Sequence, residues 1–407
     1  MHITRCCPIH ASKTWRIAMA ASAIVALLAA CGGGGSSPTE RPAAGRLSAV
    51  AALGDQIFSD PTLSLSGRMS CASCHDPAHG HSSASADEVV PAGGADLTKR
   101  GFRKAPSLRY LNLAPAFYFD AEGTPTGGLT RDGKAGSLQE QAGTPLVAAH
   151  EMANVSSAAM VAKLRSAAYA EEFKRVFGSA IFDDPGAAFD RARLALQMYQ
   201  LEDTDFHRYD SKYDPVLAGP VALTSRELQG LALFNSPAKG NCAACHPSAR
   251  GADGSPPLFT DFTYDNIGVP RNPAIAANAD PAYFDLGLCG PFRTDLAARS
   301  DLCGAFKVPT LRNVAVTAPY FHNGRFKTLK DAVGFYVRRD TNPEEWYPLD
   351  IDGRVRKFDD LPPPYHRNVN TTEAPYNRKP GEAPALTEGE IDLVVEFLGT
   401  LTDGYQP

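Results

Sequence analysis

Cys71-Ala-Ser-Cys74-His75 and Cys242-Ala-Ala-Cys245-His246 are two copies of one pattern, Cys-x-x-Cys-His, in a chain of 407 residues. The spacing has a chemical reason. Two thiols three positions apart can form thioethers to the vinyl groups of a porphyrin, and the next residue then lies where it ligates the iron from the proximal side. A lone Cys-x-x-Cys also suits a redox site or half a zinc site. Two copies, each ending in histidine, point to two covalently bound haem c groups, attached through Cys71 and Cys74 and through Cys242 and Cys245, with His75 and His246 as axial ligands.

The text around the motifs also repeats. Leu53 to Phe58 precedes the first motif and Gln229 to Phe234 the second, both apolar at helical spacing. Ala105-Pro-Ser-Leu-Arg-Tyr-Leu111 matches Val308-Pro-Thr-Leu-Arg-Asn-Val314, and each runs on to a second proline, Pro115 or Pro319. Ser137-Leu-Gln-Glu140 and Thr328-Leu-Lys-Asp331 both read as helix starts, with a hydroxyl N-cap and an acid three positions later. Three motifs in the same order, twice, predict a mainly α chain of two related cytochrome c-like haem domains joined by long irregular loops. Glycine (35) and proline (32) are abundant enough to supply such loops. The boundary is placed near Asp214-Pro215, giving haem domains at 48–215 and 216–407; Asp190 to Leu201 and Glu388 to Leu401 are expected as amphipathic core helices.

Arg5, Lys13 and Arg16 precede an apolar run, Ile17 to Ala30, too short to span a bilayer comfortably but suited to a secretory signal. The run ends in Leu28-Ala-Ala-Cys31-Gly32, which resembles the bacterial lipoprotein box, so residues 1–31 are read as a signal with Cys31 as lipid anchor, the alternative being an ordinary cleaved signal with a free Cys31. Residues 32–47, opening with four glycines, are read as a flexible tether. The expected location is the periplasm, with contact to the membrane through the lipid alone. Losing the three signal cations takes the formal charge from -5 to -8, which argues against nucleic acid as a partner. Cys289 and Cys303 flank a short polar loop in a disulfide-permissive compartment; a disulfide is the simplest assignment, and two buried thiols the alternative.

Counted from the helix caps, Tyr336 falls at the position of Pro145, since each lies eight residues past its hydroxyl. Proline offers iron no ligand and tyrosine can, so one haem could carry His246 and Tyr336 while the other keeps an open face opposite His75. Tyr336 could equally be one of fourteen tyrosines in a core helix.

The order of motifs resembles the bacterial di-haem cytochrome c peroxidase family, including its MauG branch, over nearly all of the mature chain. Val308-Pro-Thr-Leu-Arg-Asn, continued by Ala318-Pro-Tyr-Phe-His-Asn-Gly324, is close to the family's second-domain signature. The residue matching Tyr336 is a methionine in the peroxidases and a tyrosine in MauG, which implies Tyr336 ligation here and a lowered potential for that haem. The family's distal pocket falls on Gln141, Pro145 and Glu151. The resemblance makes Glu151 the general acid-base that moves the peroxide proton to the departing oxygen, and Gln141 the group that orients peroxide. Without the family, Glu151 would read as a surface acid.

Departures from the family pattern carry weight. Peroxidases of the family have a loop histidine that blocks the open iron; here the loop from Asp76 to Pro106 holds only His79 and His81, read as exposed loop residues. The inter-haem tryptophan is replaced by Arg131, in Arg131-Asp-Gly-Lys134, so the electron path between the haems is in question, and Trp346 is read as structural or surface. The family's calcium is held by two second-domain carbonyls, here Thr317 and Pro319, and by an asparagine whose position holds Lys104, an ammonium that would repel calcium and could take its place.

The leading expectation is a periplasmic di-haem peroxidase that reduces H₂O₂ at the first haem, with electrons relayed through the second from a small cytochrome c or cupredoxin. The alternatives are MauG-like oxidation of tyrosine or tryptophan side chains in a partner protein, and a non-catalytic di-haem electron-transfer lipoprotein.

Overall fold

The computed structural model describes residues 46–407; the signal and Cys31, with most of the tether, lie outside the described residues. Nine α-helices are present among them: α1 Ala49–Ser59, α2 Leu138–Val147, α3 Ser157–Leu164, α4 Ala170–Phe177, α5 Pro185–Glu202, α6 Tyr213–Ala218, α7 Ser225–Asn235, α8 Leu329–Arg338 and α9 Glu388–Gly399. Three antiparallel strand pairs complete the regular structure: β1 Ala92–Gly93 with β2 Lys99–Arg100, β3 Tyr118–Phe119 with β4 Pro125–Thr126, and β5 Tyr264–Asp265 with β6 Phe306–Lys307. The rest is irregular, so the fold is mainly helical with small sheets.

Side-chain caps start the helices where the sequence marks them. Ser137 Oγ accepts from Glu140 N at 3.1 Å and Thr328 Oγ1 from Asp331 N at 3.1 Å, so α2 and α8 each begin one residue later and each run for ten. Thr224 with Glu227, and Thr387 with Glu390, close reciprocal capping boxes on α7 and α9.

Two large apolar cores follow the chain order. Leu53, Ile57 and Phe58 of α1 pack with Ala192, Ala195 and Leu196 of α5 in the first, which ends at Phe206. Phe234 of α7 packs with Ile391, Val394 and Phe397 of α9 in the second, which begins at Tyr213. The two helix crossings use the same device. A Cβ at Gly54 would lie 2.0 Å from Ala195 O, and one at Gly230 would lie 2.0 Å from Leu393 O, so only glycine lets each approach helix reach its partner's backbone. Asp214 and Pro215, where the boundary is expected, lie inside α6, and the change of core falls between Phe206 and Tyr213.

Cys289 and Cys303 are joined, with Cα atoms 5.0 Å apart, beside a small cluster of Leu288, Leu302 and Tyr264. No helix of the described residues is long and apolar enough to cross a membrane.

Candidate functional site

Both haem motifs fold into a short 3₁₀ turn directly after the approach helix and its loop, Cys71–Ser73 after α1 and Cys242–Ala244 after α7. The repeated proline motif then closes around the histidine. His75 Nδ1 lies 3.1 Å from the carbonyls of His81 and Pro106, and His246 Nδ1 lies 2.7 Å from Phe259 O, with the Pro309 carbonyl a second acceptor. A nitrogen facing carbonyls must carry the proton, which leaves Nε2 of each ring free as a ligand. Burial pushes His75 down to about 4 and lowers His246, so both rings are held in the neutral, ligating form.

The next residues of the motif do matching work in the two halves. Ser107 Oγ donates to Gly80 O at 2.5 Å and Thr310 Oγ1 to Leu258 O at 2.6 Å, tying the motif to the loop that carries the histidine. Arg109 pairs with Asp205 at 2.9 Å and Arg312 with Asp214 at 2.8 Å, and Tyr110 and Asn313 both adopt φ of 62°. The sequence showed this motif as a repeat; its task as the clamp on the proximal histidine is visible only in three dimensions.

The distal sides differ. A cavity of about 290 Å³, reaching from the second half to residues of the first such as Lys104 and Arg131, is lined by Cys242, Cys245, His246 and Tyr336, with Phe234, Val269 and Val333 among its apolar walls. The Tyr336 ring leans on Phe321 at 5.5 Å, and its hydroxyl has no hydrogen-bond partner among the described residues. Burial, and then the Cys245 thiol, raise its phenol above the ordinary range, so in the absence of a cation the group is neutral.

In the first half the residue at that helical position is Pro145, inside α2, and Gln141 precedes it by one turn. Glu151 follows in a tight turn that the backbone holds from three sides: Met152 N donates to Pro145 O at 3.1 Å, Gly94 N to Glu151 O at 2.9 Å, and Leu65 N to Met152 O at 2.8 Å. Glu151 lies close enough to Cys71 and Cys74 to oppose their ionisation, and burial pushes its own carboxyl up to about 7 against the pull of Lys134. It is therefore no solvated surface acid. Gln141 is partly buried and its side chain makes no hydrogen bond among the described residues.

One reading of the loop is corrected. His81 is buried, 1% exposed, rather than displayed on the surface: its ring stacks on Phe206 and Nε2 meets Asp205 at 2.8 Å. Its carbonyl accepts from His75, so it stands on the proximal side and does not reach the distal face. His79 is half exposed and bonded to Asp76.

Between the halves, Lys104 is buried and its Nζ donates to the Thr317 carbonyl, while Pro319 lines the same cavity. Lys307 mirrors it, donating to Gly128 O at 2.6 Å. The sequence held that signal one residue further out: Lys104-Ala-Pro and Lys307-Val-Pro extend the repeat. Arg103, bound to Asp285 at 2.6 and 2.7 Å and to Asp132 at 2.7 Å, and His322, stacked on Phe306 at 3.6 Å, also went unread.

The donor sets fit haem c. Each supplies two thiols, a histidine with a free Nε2 and apolar walls, and the second adds a phenol; grouped histidine, cysteine and acid ligands suited to a free metal ion are absent among the described residues.

Residues 48–222 match the family described as di-haem cytochrome c peroxidase. The methylamine utilization protein MauG of Paracoccus denitrificans (strain Pd 1222) is 38% identical over 368 residues, 88% of this chain and 90% of that one. Cytochrome c551 peroxidase of Nitrosomonas europaea is 31% identical over 304 residues, 72% of this chain and 75% of that one. The crystal structure of the diheme peroxidase BthA from Burkholderia thailandensis E264 superposes with a TM-score of 0.80 at 40% identity, covering 88% of this chain and 87% of that one. The two-fold motif order, the helical fold and these likenesses agree: the chain belongs to the di-haem cytochrome c peroxidase family and is an oxidoreductase.

Proposed function

We propose that the protein reduces H₂O₂ at the haem site of its first half and recovers the two electrons this consumes from a donor through the His246 and Tyr336 site of its second half. The observation that carries this reading is Glu151, a half-buried carboxyl close enough to Cys71 and Cys74 to act on their ionisation, and itself raised to about 7 by desolvation. Bound at Cys71, Cys74 and His75, a haem supplies iron that exchanges electrons with peroxide. The protein's part is proton handling. A carboxyl with a pKa near neutrality can take a proton from one peroxide oxygen and return it to the other as the O–O bond parts. Gln141, one helical turn before Pro145 in α2, is proposed to orient the peroxide, and Pro145 offers no ligand from that face.

The electron source is proposed to be a small cytochrome c or cupredoxin. A MauG-like oxidation of tyrosine or tryptophan side chains in a partner protein is favoured by the tyrosine at position 336 and by the likeness to MauG over 88% of the chain. The site of action is proposed to be the periplasm, with Cys31 as lipid anchor; calcium is not proposed as a cofactor, because Lys104 occupies the Thr317 carbonyl.

Stopped-flow absorption of the fully ferric protein with one equivalent of H₂O₂ tests the reading. A Soret change within the first mixing phase, without prior reduction, is expected. A spectrum that stays unchanged until one haem is reduced would overturn it. With reduced cytochrome present, rapid donor oxidation supports peroxide removal and a very low rate supports a protein substrate.

A further inference from the structure

Three cations, Lys104, Arg131 and Lys307, stand in the cavity that holds Cys242, Cys245 and His246, and none of them forms an ion pair among the described residues. Arg131 and Lys307 come from opposite halves, as do Lys104 and the carbonyl it meets. The Arg131 guanidinium donates no hydrogen bond to the described residues, and its Nε is shut off from solvent without a partner. Lys104 and Lys307 each spend one of three donors on a backbone carbonyl and form no ion pair.

The nearby carboxylates are already engaged. Arg103 holds both Asp132 and Asp285. Further along the wall, Asp360 is taken by Arg271 and Asn323, while Asp265 and Glu373 both accept from Asn370. Asp265 and Glu373 keep their charge, since Asn370 is a neutral amide, but neither is among the charges that act on Lys104, Arg131 or Lys307; within the cluster itself Arg103, Lys104, Arg131 and Lys307 face only Asp132 and Asp285, a local excess of two positive charges. Burial lowers Lys104, Lys307 and Arg131 in basicity, and mutual repulsion adds to it for each. An uncompensated buried charge is among the costliest features a fold can carry, so the cluster calls for two anionic groups.

The cofactor chemistry supplies two. Once Cys242 and Cys245 have consumed the vinyl groups of the porphyrin, its remaining polar substituents are two carboxylates. We infer that Arg131, Lys104 and Lys307 form the receptor for the carboxylates of the haem held at His246. The interface between the halves is thereby closed by haem carboxylates meeting side-chain cations from both sides. Arg131 then serves as an anchor and potential-setting residue at a position where an oxidisable side chain would have served electron transfer.

This inference rests on haem being attached at Cys242 and Cys245, which is checked separately: a pyridine haemochrome assay must return two haems per chain, and one haem or none refutes the site assignment and not the receptor. On fully loaded protein, Arg131→Gln is expected to move the midpoint potential of the His246 haem to more negative values, because unpaired carboxylates stabilise the ferric charge. It is also expected to shift the carboxylate-bending band in the resonance Raman spectrum. Lys307→Gln should move both in the same direction, and Arg131→Lys should titrate with the parent. If Arg131→Gln does not load haem, the other two decide: a parental potential in Arg131→Lys with a negative shift in Lys307→Gln supports the receptor. Loaded Gln variants with parental potential and band overturn it.

Discussion

The eighth residue of α2 is Pro145 and the eighth residue of α8 is Tyr336. Around those two positions the halves are built alike: a glycine-crossed helix pair, a Cys-x-x-Cys-His turn, and a proline motif whose carbonyl, of Pro106 or Pro309, accepts from the histidine. The difference lies on the far side of each site, where one half offers an imino acid and a half-buried carboxyl, and the other a phenol with no partner. Duplicated scaffolds can diverge in chemistry at low cost when the change sits on a capped helix, because the cap and the core face hold the helix while one outward position varies. On the proposed function, that divergence separates a site for peroxide from a site for electrons.

The comparison is broken most severely at Glu151. Glu151→Gln keeps the shape and removes the proton carrier, so the rate constant for reaction with H₂O₂ is expected to fall by about 10²- to 10⁴-fold while haem content and the Tyr336 site stay intact. The parent rate should rise as pH increases through about 7, because the carboxyl must be ionised to accept a proton and burial holds its pKa there. Glu151→Gln should lose that pH dependence, and a variant as fast as the parent removes Glu151 from the mechanism.

Exchanging the distal residue of the second half makes the two families of ligand directly comparable. Tyr336→Met replaces a phenolate donor with a thioether, and the midpoint potential of the His246 haem is expected to rise by on the order of 0.1 V or more, with the first site unaffected. Redox titration followed in the visible bands checks it; an unchanged potential means Tyr336 is not a ligand.

The smallest effect probes what the halves share. Gly54→Ala and Gly230→Ala each force a methyl against a backbone carbonyl, and each is expected to cost about 1–3 kcal/mol in thermal or denaturant unfolding. Similar losses for both confirm equivalent crossings, whereas a neutral result at either position shows that the helix pair can slide to make room.

Much of this was legible in the sequence because it depends on local chemistry. Cysteine spacing, hydroxyl caps and the apolar spacing of α1, α5, α7 and α9 are short-range signals, and these helices form where the pattern placed them. His81 misled because proximity to a motif in sequence says nothing of which side of the site a loop passes; its burial comes from Phe206 and Asp205, more than 120 positions away. The same limit hid the cation cluster: Arg131 reads in sequence only as the loss of an oxidisable inter-haem side chain and Lys307 carries no signal by itself, until the fold brings both into one cavity with Lys104. Glu151 was recognised through family resemblance, and the physical reason, burial beside the Cys71 and Cys74 thiols, needed the structure.

The proposed function requires one open site and one closed one. Electron paramagnetic resonance of the fully ferric protein at neutral pH tests it most directly. One high-spin and one low-spin haem in equal amounts are expected, with Tyr336→Met altering only the low-spin signal. Two low-spin haems in the resting protein would contradict the account, since a distal ligand would then occupy the site beside Glu151.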